Sequence, residues 1–293
     1  MLHKSVCLFV GLLLSFGAAR VRSDPAAHFV MNNAVVIGDL NPLPKTLIDQ
    51  VKDRKVVIVG EIHGTTEISA FTAGLVRGLA EVSERVLVAI EWPKANQKPV
   101  ENFLKSGNIK EIPALPIFAA DARDGRTSTA MVDLLIKLRT IRNAGVLCFD
   151  VDGKAKSDQQ RDSDMAKFIR SQIDRLKPSI TVVLTGNVHA KSKVGADKFK
   201  PFAYQLSAQK GSRVKPSDIL TIGVRNHLGA AWFCQKSECA AHHLAPVESV
   251  YSTATAVEKY FLLEPEGEYG ATLFIKKLSA SAPYIVIAEA TSK

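Results

Sequence analysis

Two segments of the sequence place a histidine three residues after a glycine, each at the end of an apolar run. The first is Val56–Gly64, which contains Glu61 and His63. The second is Thr181–His189, which ends in Gly-Asn-Val-His. A neutral imidazole has a pKa close to physiological pH, so a histidine oriented by a carboxylate can take a proton from water. The two segments therefore suggest acid–base chemistry, such as hydrolysis.

Both apolar runs are short and rich in β-branched residues, as expected for buried parallel strands. Two further runs lead into acids: Val86–Ile90 is followed by Glu91, and Gly145–Phe149 by Asp150 and Asp152. A single histidine or acid at a strand end is usually structural. Residues past the carboxyl ends of parallel strands meet in one crevice, however, and ligands bind there. The repetition over four strands therefore favours one shared functional site.

Three further residues are candidates for that site. Arg161 lies four residues before Met165, on the inward face of a helix that a capping box, Ser157-x-x-Gln160, is expected to begin. It could make a structural salt bridge with the acids or clamp an anion, and both interpretations stay open. Arg126, in a turn before another helix, is a weaker candidate for an anion. His227 follows the predicted strand 219–224 and could join the site.

The pattern of strands and helices predicts an α/β fold with a mostly parallel β-sheet and helices on both faces. The first such helix carries an apolar stripe of Ile68, Phe71, Leu75, Leu79 and Val82. The segment from Pro93 to Arg126 is expected to be mostly irregular, apart from a short helix that Pro99 begins and Gly107 ends, and is a candidate lid. Past residue 215, three short runs predict a small C-terminal β extension; they are Tyr260–Leu263, Thr272–Ile275 and Tyr284–Ala288. No linker divides the chain, so we expect a single domain over 24–293.

Residues 1–23 are expected to be a secretory signal peptide, with basic Lys4, an apolar run from Val6 to Phe16 and small residues before the cut. That run is too short for a comfortable membrane span, and no transmembrane segment is expected after cleavage. No cysteine stands at the cleavage point, so a lipid anchor is not expected. The predicted location is the periplasm or the cell exterior.

Export makes disulfides possible, and Cys234 and Cys239 are expected to pair in a polar loop. His242 and His243 lie nearby, but a zinc site there is the less favoured interpretation. Cys148, in a predicted core strand, is expected to be a buried apolar thiol.

The chain of 293 residues has a formal net charge of +9. Much of it lies between Lys191 and Lys215, a run that is usually a solvated surface but could attract an anionic ligand or a membrane face. Export and the lack of a binding motif argue against nucleic acid as a partner.

Four motifs, taken together, resemble the superfamily that contains the erythromycin esterases, the ChaN-type haem-binding proteins and the Tiki/TraB proteases. The resemblance covers about residues 55–190. The motifs are Gly60-Glu61-Ile62-His63-Gly64, Ile90-Glu91, Arg161-Asp162-x-x-Met165-Ala166 and Gly186-Asn187-x-His189.

The resemblance implies three different functions. In the esterase-like branch a Glu/His pair activates water and a second histidine assists, which maps onto Glu61, His63, Glu91 and His189. The protease branch uses a divalent metal, which maps onto Glu61, His63 and His189. The ChaN-type branch binds haem, with no ligands that can be assigned here, and its members usually carry a lipid-anchoring cysteine that this chain lacks.

The esterase-like interpretation is the favoured one: His63 accepts the proton of water, Glu61 or Glu91 orients its ring, and His189 with Arg161 stabilises the oxyanion or protonates the leaving alcohol. No Gly-x-Ser-x-Gly motif is present, so direct attack by water is expected. The substrate would be a small molecule or a peptide with an ester or amide bond. Haem and a divalent metal stay open as cofactors, and haem binding is the alternative function.

Overall fold

The computed structural model describes residues 29–30, 32–119, 125–151, 155–208, 214–235, 238–246 and 257–284. The predicted signal peptide, residues 1–23, lies outside these ranges. Asp152 and the predicted strand beyond Tyr284 also lie outside them.

A mixed sheet of nine strands forms the centre of the described chain, in the order β1-β8-β9-β6-β2-β5-β3-β4, with β7 paired to β6. The strands β2 to β6 and β9 are linked by parallel pairings, whereas β8 is antiparallel to β1 and β9, and β7 to β6. The predicted mostly parallel sheet is thus confirmed. The strands are β1 Val35–Val36, β2 Val56–Glu61, β3 Val86–Pro93, β4 Ala144–Asp150, β5 Ile180–Gly186, β6 Ile219–Gln235, β7 Glu238–His243, β8 Lys259–Leu263 and β9 Ala271–Leu278.

Helices cover both faces of this sheet, as predicted. On one face α1, α2, α3 and α5 pack against the strands, and on the other face α6 and α7 do so. This double covering explains why all six residues of β2 are buried, with its four leading apolar residues fully so. The α-helices are α1 Lys45–Val51, α2 Thr66–Val82, α3 Gln97–Ser106, α4 Pro116–Ala119, α5 Thr129–Arg139, α6 Asp158–Leu176 and α7 Phe202–Ala208.

The helix termini agree in part with the sequence signals. Ser157 is the N-cap of α6 and its hydroxyl accepts from the N–H of Gln160 at 3.2 Å, but the Gln160 amide donates to Asp164 instead of returning to the cap. The apolar stripe of α2 is buried at Ile68, with Phe71, Leu75 and Leu79 also fully buried, while its last predicted member, Val82, is 52% exposed. The stripe therefore ends one turn before the helix does.

The segment after β3 is the first difference from the sequence prediction. The short helix predicted from Pro99 to Gly107 is confirmed as α3, which has Gly107 as its C-cap, but the part expected to be irregular contains α4 and the 3₁₀ turns Lys94–Asn96 and Ile109–Ala114. Pro99 and Pro116 stand at or near the beginnings of α3 and α4, where a missing N–H is tolerated, and Pro113 lies inside the second 3₁₀ turn. From Lys94 to Ala119 the segment therefore consists largely of helical turns.

The second difference concerns β6, which continues to Gln235 instead of ending at Val224. The strand leaves β2 after Ile222 but stays paired with β9 and then with β7. Arg225, Asn226 and His227 therefore lie inside a strand, not at its end. Strands β8 and β9 confirm the C-terminal β extension and enlarge the same sheet through β6.

The predicted disulfide between Cys234 and Cys239 is present. The two residues are directly opposite each other at the far end of the β6–β7 hairpin, rather than in a polar loop. Cys148 is a buried free thiol, as predicted, and burial raises its pKa to about 12. None of the helices in the described ranges is long and apolar enough to cross a membrane.

The outer edge of the sheet at β4 is occupied by a side chain. The Gln97 amide donates to the carbonyl of Val146 at 3.1 Å and accepts from the N–H of Cys148 at 2.8 Å. One glutamine thus satisfies two backbone groups that would otherwise be unpaired at an edge strand.

Candidate active site

The turn after β2 holds His63 next to its own carboxylate. Oε2 of Glu61 lies 3.0 Å from Nδ1 of His63. Since a carboxylate accepts hydrogen bonds, the arrangement assigns the proton to Nδ1 and leaves Nε2 as the basic nitrogen. Glu61 is buried, whereas the imidazole is 24% exposed. The pair thus has a buried orienting acid and an accessible base.

The backbone next to His63 is fixed by its neighbour, Gly64. This residue has a φ of +73°, and a Cβ there would collide with the backbone of Trp232. Its carbonyl accepts from the N–H groups of Trp232 at 3.0 Å and Ser281 at 2.7 Å. The β6–β7 hairpin and the chain after β9 therefore hold the His63 turn in place.

The end of β5 brings the second histidine to the same place. A Cβ built on Gly186 would lie 3.2 Å from Nε2 of His63 and 3.3 Å from Cδ2 of His189. The two rings therefore flank one glycine, and any side chain at that position would push against both. This explains why the β5 turn needs glycine there on grounds of space.

Glu91, at the end of β3, lies beside the same glycine. Its Oε2 accepts from the hydroxyl of Thr185 at 2.6 Å and from the N–H of Gly186 at 2.7 Å. Burial would raise the pKa of Glu91, but the charges of His63, His189 and Arg161 hold it well below its usual range. Glu91 is therefore an ionised carboxylate whose position is fixed by β5.

Arg161 links this carboxylate to the end of β4. Its Nη2 donates to Oε1 of Glu91 at 2.5 Å and to Oδ2 of Asp150 at 2.8 Å, and its Nε donates to Oδ1 of Asp150 at 2.9 Å. Burial would lower the pKa of Arg161, but these acids raise it. Of the two open interpretations of Arg161, the structure shows the salt bridge.

Arg126 reaches the same acid from the turn before α5. Its Nη1 donates to Oδ2 of Asp150 at 3.0 Å, and its carbonyl accepts from Nε1 of Trp92 at 2.9 Å. Trp92 is fully buried and packs edge-on against Phe118. The tryptophan that follows Glu91 thus anchors the turn that carries Arg126.

His189 has a carboxylate partner that the sequence analysis gave no role. Nδ1 of His189 lies 2.7 Å from Oδ1 of Asp162, which is fully buried in the first turns of α6. Nε2 of His189 lies 3.1 Å from Nη1 of Arg161 and 3.9 Å from Oε1 of Glu91. Burial lowers the pKa of His189, but Asp162 and Glu91 more than offset it, so this pKa is raised.

These groups form the floor of a cavity of about 780 Å³. The segment after β3 supplies an apolar wall through Pro93, Ala95, Pro116 and Ile117, and the start of α6 supplies the rim from Ala155 to Asp158. His63, Glu91, Arg126, Asp150, Arg161 and His189 all line it. The volume lies within the range of small-molecule sites.

Most of the predicted site residues therefore converge on one cavity, with Glu61 directly behind His63. His227 does not: it is exposed, inside β6, and absent from the lining of this cavity. Asp152 lies outside the described residues. The sequence did not identify Asp162 and Thr185 as residues of the site. Asp162 stands directly after Arg161 in the motif Arg161-Asp162-x-x-Met165-Ala166, and its position next to Arg161 is the signal that could have identified it.

A divalent metal does not fit this arrangement. Glu61 and His63 face each other, and Nε2 of His189 is next to the Arg161 guanidinium, a cation that would repel a metal ion. In the part of the chain that the structure describes, no group of three His, Cys, Asp or Glu residues is placed to hold a metal.

Haem would find two histidines here, His63 and His189, but none of the described lining residues is a tyrosine, and no described residue of the basic run 191–215 lines the cavity. Lys191 faces Glu268 at 3.4 Å, and Lys193 donates to the carbonyl of Glu266 at 2.7 Å. The first lysines of the run 191–215 therefore contact the turn between β8 and β9.

Comparison with known proteins supports the fold. No protein family and no curated protein matches the chain by sequence. A protein from Bacillus cereus shares the structure with a TM-score of 0.68 and 12% identity, over 89% of this chain and 99% of its own. A succinoglycan biosynthesis protein gives a TM-score of 0.71 at 10% identity, over 89% of this chain and 98% of its own.

A mutant of the erythromycin esterase EreC, in its open conformation, gives a TM-score of 0.59 at 11% identity. The match covers 85% of this chain and 98% of that one. The resemblance that the four motifs indicated is thus confirmed at the level of the fold, which this chain shares with that erythromycin esterase.

Proposed function

We propose that this protein is an exported hydrolase that cleaves an ester or amide bond by activating water. The observation that carries the proposal is the pair of imidazoles that flank Gly186 on the floor of the cavity, each with its Nδ1 within 3.0 Å of a carboxylate oxygen. In this arrangement both histidines keep Nε2 for proton transfer. The likeness to an erythromycin esterase adds support through the fold.

His63 is the general base of the proposed reaction. Its Nε2 takes a proton from water, the water oxygen forms a bond to the substrate carbonyl carbon, and Glu61 stabilises the imidazolium. The carbonyl oxygen becomes an oxyanion. The partial exposure of His63 supports this role, because the base must be reached by water.

His189 is the general acid. Its Nε2–H gives a proton to the leaving alcohol or amine as the bond from carbonyl carbon to leaving group breaks, and solvent then returns His63 and His189 to their starting states. The raised pKa of His189 supports this role, because it favours the protonated ring. Protonation of Nε2 ends its hydrogen bond with Nη1 of Arg161, since two donors cannot bond each other, and makes the N–H available to the substrate.

Glu91, Asp150, Arg126 and Arg161 form the charged frame of the site. They neutralise one another in pairs, so the cavity does not carry a strong excess of either charge. Export is proposed from the signal peptide in the sequence and is supported by the disulfide, which persists in oxidising compartments.

The test is hydrolysis of a panel of esters and amides in the presence of a chelator. We expect His63→Ala to reduce kcat by about 10²–10⁴-fold, the usual contribution of general acid–base catalysis. His243→Ala, an exposed histidine on β7, is the matched control and should keep full activity.

Three results would contradict the proposal: no hydrolysis across the panel, equal activity of His63→Ala and His243→Ala, or loss of activity with chelator that zinc or manganese restores. A Soret band on addition of haem, lost in His63→Ala, would favour the alternative haem-binding function instead.

A further inference from the structure

Asp162 is a buried residue that contacts both His189 and the start of α7. It is fully buried, its Oδ1 lies 2.7 Å from Nδ1 of His189, and its Oδ2 accepts from the N–H of Phe202 at 2.7 Å. Phe202 is the first residue of α7, and the next N–H, that of Ala203, donates to the carbonyl of His189 at 3.0 Å. Two N–H groups at the start of α7 are thus satisfied by the aspartate and by the backbone of the histidine.

We infer that Asp162 is the positioning residue of the second imidazole: it fixes the ring and its tautomer so that Nε2 of His189 faces the cavity. The inference rests on the proposed function only where it concerns catalysis. The sequence assigned no role to Asp162, and the inference rests on the contacts of this residue.

The contacts on the opposite nitrogen agree with this assignment. Arginine can only donate, so Nη1 of Arg161, 3.1 Å from Nε2 of His189, requires a lone pair on Nε2 in the neutral ring. The proton of the neutral ring is then on Nδ1, 2.7 Å from Oδ1 of Asp162; this short contact does not have the geometry of a hydrogen bond, and neither atom makes one elsewhere in the described chain. Glu91 is farther from the ring, at 3.9 Å, and cannot take the place of Asp162.

Because Asp162 is tied to α7, its Oδ1 keeps a fixed position beside Nδ1 of His189, and rotation of the ring would separate these two atoms. A histidine held in this way returns to one orientation after each proton transfer, as oriented imidazoles do in other hydrolases. Asp162 thus acts on the reaction through His189 and does not itself line the cavity.

The decisive measurement is the tautomer of His189, read from long-range ¹H–¹⁵N correlation spectra of protein labelled in histidine. We expect the neutral ring of the wild-type protein to carry its proton on Nδ1. The signal can be assigned among the seven histidines by its absence in His189→Gln.

In Asp162→Asn the new amide can still accept from Phe202, but its NH₂ faces Nδ1 and should move the proton to Nε2. We expect this variant to lower kcat by about 10²–10⁴-fold with little change in KM, as for amide replacement of an orienting aspartate elsewhere. Asp164→Asn, two residues along the same helix and bonded to Gln160, is the matched control and should change neither quantity.

A neutral wild-type ring with its proton on Nε2 would overturn the inference, and so would an Asp162→Asn variant with unchanged tautomer and kcat. If Asp162→Asn fails to fold, the wild-type spectrum still decides. If no substrate is ever hydrolysed, the proposed function fails while the tautomer continues to test Asp162, so the two failures are distinguishable.

Discussion

The two Gly-x-x-His turns have the same sequence spacing but are supported in different ways. In the first turn the residue after the glycine is Glu61, and it holds the ring of His63 directly. In the second turn the corresponding residue is Asn187, whose Oδ1 accepts from Val224 in β6 at 3.2 Å. The ring of His189 is held instead by Asp162, from a helix earlier in the chain.

The comparison shows that a short motif can fix the position of a histidine without fixing its partner. A Cβ at Gly60 would collide with Oδ1 of Asn187, so the two turns also pack directly against each other. The first turn depends on local contacts, whereas the second depends on α6 and α7. Variants that affect one turn and spare the other can test this difference.

The largest effect is expected for Arg161→Met, which acts on the second turn. The change leaves Glu91 and Asp150 buried without their main cation, and breaking a buried ion pair in this way costs about 3–5 kcal/mol of unfolding free energy. Arg175→Met, at the exposed end of the same helix, is the control and should cost about 0.5 kcal/mol or less. Denaturant unfolding measures both, and equal losses would show that Arg161 is not the centre of the network.

Gly186→Ala should affect both turns at once. The added methyl group would press on Nε2 of His63 and on His189, and a small misplacement of reacting groups can cost on the order of 10²-fold in rate. Gly145→Ala is the matched control, because a Cβ there meets nothing within 4 Å. Activity assays compare the two, and full activity of Gly186→Ala would show that the rings do not share this space.

A smaller effect is expected for Cys234→Ser combined with Cys239→Ser, which acts on the first turn. The disulfide closes a loop with a sequence separation of 5, so its loss costs at most about 2 kcal/mol. The hairpin still bonds the Gly64 carbonyl through Trp232, so hydrolysis should fall by less than the Gly186→Ala change causes. Loss of the hydrolytic activity with an intact fold would mean that the disulfide, and not the hairpin ladder, fixes the His63 turn.

The remaining prediction is a pH dependence of stability, in which each unit of pKa change is worth about 1.4 kcal/mol. The pKa of His189, which faces Asp162, Glu91 and Arg161, is raised by folding. Its contribution is therefore complete below the unfolded value of about 6.5 and is lost as pH rises through the folded pKa.

The contribution of Glu91 to stability changes with pH in the opposite direction. Because folding lowers the pKa of Glu91, its carboxylate stabilises the fold above about pH 4.3, and this contribution is lost as pH falls through the pKa of Glu91 in the folded protein. Denaturant unfolding over a range of pH should show both losses in the wild-type protein, and His189→Gln should remove the loss on the alkaline side. A variant with an unchanged alkaline slope would contradict the assignment.

Much of the site could be predicted because the ends of strands can be recognised in the sequence. Glu61, His63, Glu91, Asp150 and His189 follow apolar runs, and parallel strands bring such positions together. Arg161 could be placed from helical periodicity. Contacts between helices, such as that of Asp162 with α7, leave no such pattern.

The errors have equally specific causes. The polar residues Arg225 to His227 resembled a strand end, but pairing with β9 and β7 carries β6 past them. Pro99 correctly indicated the beginning of α3, but Pro113 and Pro116 indicated an irregular stretch, because a proline within or at the start of a short helical turn could not be distinguished from a break in structure. In the case of β6, tertiary pairing overrode a local signal.

Gln97 has a consequence for how the folded protein behaves among other chains. An uncovered outer strand is a template on which a foreign strand can add, which leads to aggregation or exchange of segments between molecules. By imitating a peptide bond at Val146 and Cys148, this one amide denies an incoming backbone its first donor and acceptor on β4. Addition of a strand, and with it self-association through this edge, is therefore disfavoured at the middle of β4.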